Sequence, residues 1–155
     1  MNKNDVMIHY TDERSIATFE AIANLYESVG FGTVEFYKGD KGFEIALASS
    51  ASTNFFALDE QGDVVGMTRV FSDNKICTWI AELCVHPEWQ GNGIGRNLVQ
   101  MVISRFGHTA IYVEAFSGSE GFFTRQGIKP KTKLVACSRA GQRSESSSEP
   151  VPFSH

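Results

Sequence analysis

The chain reads as one mixed α/β domain. Three observations predict this: a ten-residue apolar run at 76–85, a glycine-rich turn at 90–95, and a helical pattern from there to Phe106. A strand that feeds a glycine turn and then a helix N-terminus presents outward N–H groups with no side chain in the way, and the helix dipole adds positive potential. The middle of the chain is therefore built to hold an anion.

The other elements follow in order. Val6 to Tyr10 alternates as a first strand. Thr11 and Asp12 are helix-cap types, and Ile16, Phe19, Ala23, Tyr26 and Val29 then recur at helical spacing up to Gly30. Residues 31–42 read as irregular, and Phe43 and Leu47 share a face of a short helix over 42–49. Strands are predicted at 54–58 and 64–71 around the turn 59–63, and the chain turns again at 72–75 into the run 76–85. In the helix at 93–106, apolar residues at 94, 98, 102 and 106 form a stripe to be buried. A strand at 110–116, a short helix at 119–126 closed by Gly127, and a last strand at 134–137 complete the order. Strict alternation along 76–85 would put 78, 80, 82 and 84 on one face and 83 and 85 on the other.

Composition suits a single domain, expected over 1–140. The 155 residues suffice for a sizeable core, and 42% hydrophobic with 12% aromatic content is globular. No apolar run approaches the roughly 20 residues of a membrane span. The first five residues lack a signal peptide's apolar stretch, so a cytoplasmic location is expected. Cys77, Cys84 and Cys137 have no metal-like spacing and read as buried free thiols, without a metal site. Residues 141–155 are polar and Ser-rich and are expected to be disordered. Residues 1–60 hold ten acids against four bases, whereas 61–155 hold eight against ten. The mildly basic half suits a phosphate-rich ligand and the acidic half a cationic one. Without a concentrated basic face, nucleic acid is not an expected partner.

Known phosphate loops can be tested against the glycines. A Walker loop needs G-x-x-x-x-G-K-[ST], and neither the lysine nor the hydroxyl residue is present. Dinucleotide folds use G-x-G-x-x-G, but Gly91, Gly93 and Gly95 are spaced G-x-G-x-G. The stretch Gln90-Gly91-Asn92-Gly93-Ile94-Gly95 fits Q/R-x-x-G-x-G/A at every position. Together with the preceding Glu82-Leu83-Cys84-Val85-His86-Pro87-Glu88-Trp89, it resembles the acyl-CoA loop and central strand of the GNAT superfamily of N-acetyltransferases.

The resemblance covers residues 6 to about 138. It implies a twisted, mostly antiparallel mixed sheet of about six strands with helices on both faces. It also implies acetyl-CoA as cosubstrate and acetyl transfer to a primary amine by direct attack through a tetrahedral intermediate. Backbone amides from Gln90, Gly91, Asn92, Gly93, Ile94, Gly95 and Arg96 would hold the pyrophosphate. The pantetheine arm would lie as a pseudo-strand beside Leu83 and Val85. Glycine at 93 and 95 would be needed because a Cβ blocks close approach.

An alkylamine is protonated at neutral pH and must lose a proton before attack, which calls for a base. Glu82 leads as catalytic base from its place on the central strand, against a plain ion-pair role. Glu114 is second, since it resembles the glutamate on the following strand of ribosomal-protein acetyltransferases. One departure stands out. Family members often carry F-Y-x-x-x-G-F, whose tyrosine protonates the departing thiolate; here Phe123 stands in its place, leaving water, Tyr112 or Ser119 for that task. The family also closes with two strands, of which only 134–137 is visible, so a second would be missing, irregular or borrowed from a partner in a homodimer.

His86 reads as a strand-exit residue, Cys84 as a core thiol, and Trp79 and Trp89 as core and loop packing. Phe31, Phe36, Tyr37 and Phe43, interleaved with Glu27, Glu35, Asp40 and Glu44, are expected to line an acceptor groove for a small cationic amine. A peptide or protein acceptor, a weakly active acyl-CoA-binding regulatory module, and a nucleotide-cofactor oxidoreductase are the alternatives.

Overall fold

The computed structural model describes residues 6–141. Its sheet has five strands in the order β1-β2-β3-β4-β5: His9–Thr11, Ser52–Leu58, Val64–Ser72, Cys77–Val85 and Ala110–Val113. The first four pair antiparallel, and β5 joins β4 in parallel. Helices α1 (Phe19–Ser28), α2 (Val34–Lys38) and α3 (Lys41–Ala48) come before β2. Helix α4 (Ile94–Phe106) joins β4 to β5, and α5 (Glu120–Thr124) follows β5.

Two apolar layers sandwich the sheet. On one face Ile22, Leu25 and Tyr26 of α1 pack with Tyr37, Leu47, Phe56, Met67 and Cys84. On the other, Ile94, Leu98, Val102 and Phe106 of α4 pack with Phe55, Val65, Val70 and Ile80. The predicted stripe of α4 is buried as expected. Gly66 of β3 makes this packing close: a Cβ there would lie 2.8 Å from Ile94 Cγ2 and 3.2 Å from Leu98 Cδ1.

Boundaries moved where local hydrogen bonding outweighed pattern. Thr18, not Thr11 or Asp12, caps α1, its hydroxyl accepting from Ala21 N–H at 3.1 Å. The predicted irregular stretch contains α2, capped by Thr33. Gly30 at φ +81° and Gly127 at φ +83° end α1 and α5 as expected. The β3–β4 hairpin is held by Asp73, whose carboxylate accepts from the N–H groups of Lys75, Ile76 and Cys77 at 2.9, 2.7 and 3.0 Å. These bonds hold its pKa below the usual carboxylate value.

Four expectations need correcting. The strand at 110–116 stops at Val113. No strand forms at 134–137, where Leu134 and Val135 stand exposed, so five strands replace six among the described residues. Of the three thiols only Cys84 is buried. The alternation along β4 also breaks, because Arg69 pairs with Glu82 and Val70 with Ile80, leaving Ala81 without a partner. This β-bulge turns Glu82 and Cys84 to the α1 face while Ile80, Leu83 and Val85 face α4. The polar tail, apart from Gly141, lies outside the described residues.

Candidate active site

The bulge sets up the site. β4 and β5 pair only from Cys77↔Ala110 to Ile80↔Val113, so the C-terminal half of β4 has no neighbour on that side. His86 N–H donates to the Val65 carbonyl of β3 at 2.9 Å. By the alternation of an antiparallel ladder, the main-chain groups of Val85 and Leu83 project the other way, toward the opening. Gln90 already donates to the Val85 carbonyl there, Nε2 to O at 3.0 Å.

The strand ends in a 3₁₀ turn, Pro87–Trp89, and the glycine loop follows. Asn92 ties this loop to itself, donating to the carbonyls of Trp89 at 3.0 Å and Gln90 at 3.2 Å. Gly91 (φ +80°) and Gly93 (φ +79°) are left-handed, a conformation costly for residues with a Cβ. A Cβ at Gly93 would touch no protein atom within 4 Å, so within the chain itself it is the left-handed conformation that calls for glycine here. Gly93 also caps α4 without a side-chain bond, and the first turn carries no acid. The leading N–H groups of α4 therefore keep their donor capacity and positive potential.

The open strand edge and the bare helix end meet in one cleft of about 860 Å³. Leu83, Val85, Gln90, Gly91, Gly93, Ile94, Gly95 and Arg96 line it, while Asn92 is spent on the loop. The sequence reading missed Gln100 and two side chains of the α5 region, Arg125 and Gln126, which line the cleft together with Phe122. Helical spacing could have found them: Gln100 lies four residues after Arg96, and Arg125 three after Phe122. Phe122, not Phe123, faces the cleft. Its ring lies 3.4 Å from where a Gly95 Cβ would be, and Phe123 is buried. Ser119 also lines the cleft, its hydroxyl donating to the Phe116 carbonyl at 2.7 Å. Gln126 Oε1 is buried and has no hydrogen-bond partner, an acceptor waiting for a donor.

The two acids occupy different settings near the place where β4 and β5 part. Glu82 is buried, its Oε2 accepting from Arg69 Nε at 3.0 Å while Arg69 Nη2 pairs with Oε1 and the Tyr26 hydroxyl donates to Oε2. Burial first and the neighbouring Glu82 second hold the Tyr26 phenol well above its ordinary pKa. Glu114 directly follows the last residue of β5 and is exposed.

The aromatics expected to line an acceptor groove turn inward instead. Phe31, Tyr37 and Phe43 pack around Tyr26 with ring centroids at 5.8, 5.7 and 5.9 Å. Their carboxylate neighbours do local work: Glu27 accepts from Val34 N–H at 3.1 Å, Asp40 caps α3, and Glu35 pairs with Lys38. Trp79, expected in the core, stands on the surface stacked over Tyr112.

A bulged central strand, one open main-chain edge and a glycine-capped helix end meeting in one cleft define a mixed-sheet α/β class of fold. Residues 16–128 match the acetyltransferase (GNAT) family, and the chain belongs to that family. A GNAT family acetyltransferase from Streptococcus pneumoniae superposes with TM-score 0.60 at 23% identity, covering 87% of this chain and 99% of that one. Glucosamine-6-phosphate N-acetyltransferase from Arabidopsis thaliana gives TM-score 0.64 at 14% identity, covering 85% and 98%. An aminoglycoside acetyltransferase from an uncultured soil metagenomic sample, in complex with sisomicin, gives 0.61 at 20%, covering 92% and 100%. No curated protein matches the sequence. Among the described residues no helix is long and apolar enough to cross a membrane.

Proposed function

We propose that the protein is an acetyl-CoA-dependent N-acetyltransferase of the cytoplasm that acetylates the primary amine of a small cationic molecule. The convergence of the free β4 edge and the bare N-terminus of α4 on one cleft carries this reading. The residues present fit the coenzyme: the glycine loop and the amides to Arg96 suit its pyrophosphate, and Arg96 and Arg125 supply charge. The main-chain groups of Leu83 and Val85 suit the pantetheine amides, as does the orphaned Oε1 of Gln126. The coenzyme supplies an activated acetyl group as a thioester. Nitrogen–carbon bond formation is matched by loss of the carbon–sulfur bond; the ammonium gives up two protons, one before attack and one after it, of which one ends on the sulfur and the other in solvent.

Glu114 is the acid better placed to take the amine proton, directly or through water. Both oxygens of Glu82 are engaged by Arg69 and Tyr26, whereas Glu114 has no hydrogen bond or ion pair among the described residues. Glu82 then positions Arg69 and the bulge. Ser119, which lines the cleft that would hold the thioester, is the hydroxyl suited to return a proton to sulfur; the Tyr112 ring is stacked on Trp79 outside that cleft. Two structural neighbours are named for acting on amino sugars, which favours a small molecule over a peptide.

Thiol release from acetyl-CoA over a panel of amines tests the activity, with calorimetry of coenzyme A reading the cleft separately. Glu114→Gln is expected to lower kcat by about 10²-fold or more, the usual range for a general base. Unchanged kcat in that variant returns the role to Glu82 or to solvent.

A further inference from the structure

The geometry points to the α1-side face of β3, β4 and β5 as a platform that selects arylalkylamines, with Phe71, Trp79 and Tyr112 stacking the acceptor's aromatic ring. This rests on the acetyltransferase reading and names the substrate class of the same site.

These three residues form one row across three strands: Phe71 pairs with Trp79 in the β3–β4 register, and Trp79 with Tyr112 in the β4–β5 register. All three are large, apolar and open to solvent, at 39%, 42% and 39% exposure. Ile80 and Val70, their neighbours on the opposite face, are almost completely covered by α4. The Trp79 and Tyr112 rings lie nearly parallel, 22° apart with centroids at 6.0 Å, and Arg69 sits 5.3 Å over the Phe71 ring. An exposed row of aligned rings offers large stacking area with little ordering cost, because each ring has only two side-chain torsions.

The next row toward the opening of the sheet holds the polar groups. Along β5, Ile111 and Val113 turn toward α4 while Tyr112 is exposed, and Glu114 continues that exposed set. Glu114 is the first residue past β5, two positions beyond Tyr112, so with a rise of at most about 3.3–3.6 Å per residue its Cα lies within about 7 Å of that of Tyr112. That spacing suits a ring joined to a primary ammonium by two carbons. The ring would lie on Trp79 and Tyr112, and the ammonium would meet the Glu114 carboxylate where β4 and β5 part. A long aliphatic polyamine or an amino sugar would satisfy the carboxylate and leave the rings unused.

The test compares 2-phenylethylamine with butylamine, which carries the same charge without the ring, in wild type, Trp79→Ala and Trp79→Phe. Wild type is expected to prefer 2-phenylethylamine by about tenfold in kcat/KM. Trp79→Ala should bring the ratio close to one, and Trp79→Phe should retain most of it. Equal rates for the two amines in wild type, or a preference that survives Trp79→Ala, overturn the platform while leaving the acetyltransferase intact. If coenzyme A fails to bind in calorimetry, the acetyltransferase reading falls by itself. Trp79 fluorescence, taken as wild type minus Trp79→Phe, then decides the platform: saturable change with 2-phenylethylamine but not butylamine supports it, and no change refutes it. A Trp79 signal that depends on protein concentration would show that a second copy covers the face, which also overturns the proposal.

Discussion

Arg69 on β3 holds Glu82 on β4 with two nitrogens, one to each carboxylate oxygen, directly beside the bulge at Ala81. The pair is largely buried, the Arg69 and Glu82 side chains being 18% and 6% exposed. A two-pronged grip of this kind fixes both strands in register, and Tyr26 from α1 ties the same carboxylate to the helical layer.

Removing the charge from Glu82 leaves a mostly buried guanidinium without its counter-ion. Glu82→Gln is therefore expected to destabilise the fold by about 3 kcal/mol. Chemical denaturation measures this directly. Since we place Glu82 in a positioning role, the residual activity of the folded variant should show a pH profile like that of wild type. A profile shifted in its acid limb would instead mark Glu82 as the base.

Two glycines should fail in different ways. Gly66→Ala puts a methyl group 2.8 Å from Ile94 Cγ2 in a close-packed layer, and an overpacked core of this type loses about 1–3 kcal/mol. Gly93→Ala meets no atom but must hold φ near +79°, at a cost of about 1–2 kcal/mol. Relaxing that strain would turn the first amides of α4 away from the cleft. Coenzyme A affinity should thus fall more in Gly93→Ala than in Gly66→Ala, and calorimetry on both variants would reveal the reverse order if the loop were not the anion site.

Thiol reactivity reads the same architecture. Cys84 is buried beneath α1, and burial first, then the nearby Glu82, pushes its pKa far up, so little thiolate forms. Cys77 and Cys137 are exposed. A disulfide reagent at pH 8 should titrate two thiols in the native protein and the third only after unfolding. Rapid reaction of all three would contradict the packing around Met67 and Tyr26.

Alkaline pH should weaken the fold. Burial first and the neighbouring Glu82 second raise Tyr37 to about 12, and Tyr26 is raised in the same direction, so both stay neutral in the folded state. In the unfolded chain tyrosines ionise near 10. Their contribution to stability is fully present below pH 10 and is lost as pH rises from about 10 to about 12, because only the unfolded state releases protons there. The urea midpoint should fall over that interval, and less steeply in Tyr37→Phe.

Much of this was legible along the chain because it depends on local rules. The stripe at 94, 98, 102 and 106 needs only helical period to be read as buried, and glycine at 91 and 93 needs only backbone conformation. Gly30 and Gly127 were legible as helix ends for the same reason. Residues 134–137 misled because an apolar β-prone run becomes a strand only if an edge accepts it, and among the described residues none does.

By itself, then, the sequence determined the α/β order, the glycine loop and the family, since each follows from spacing between near neighbours. Only the tertiary structure decided which side chains share a face. One unpaired residue, Ala81, reverses the alternation of β4, and a bulge depends on how two strands register, which no single strand encodes. That reversal joins Glu82 to Arg69 and Tyr26 and frees the edge at Leu83 and Val85. The folded sheet also decided which aromatics stay outside: Phe31, Tyr37 and Phe43 are needed around Tyr26, whereas no described helix covers Phe71, Trp79 and Tyr112.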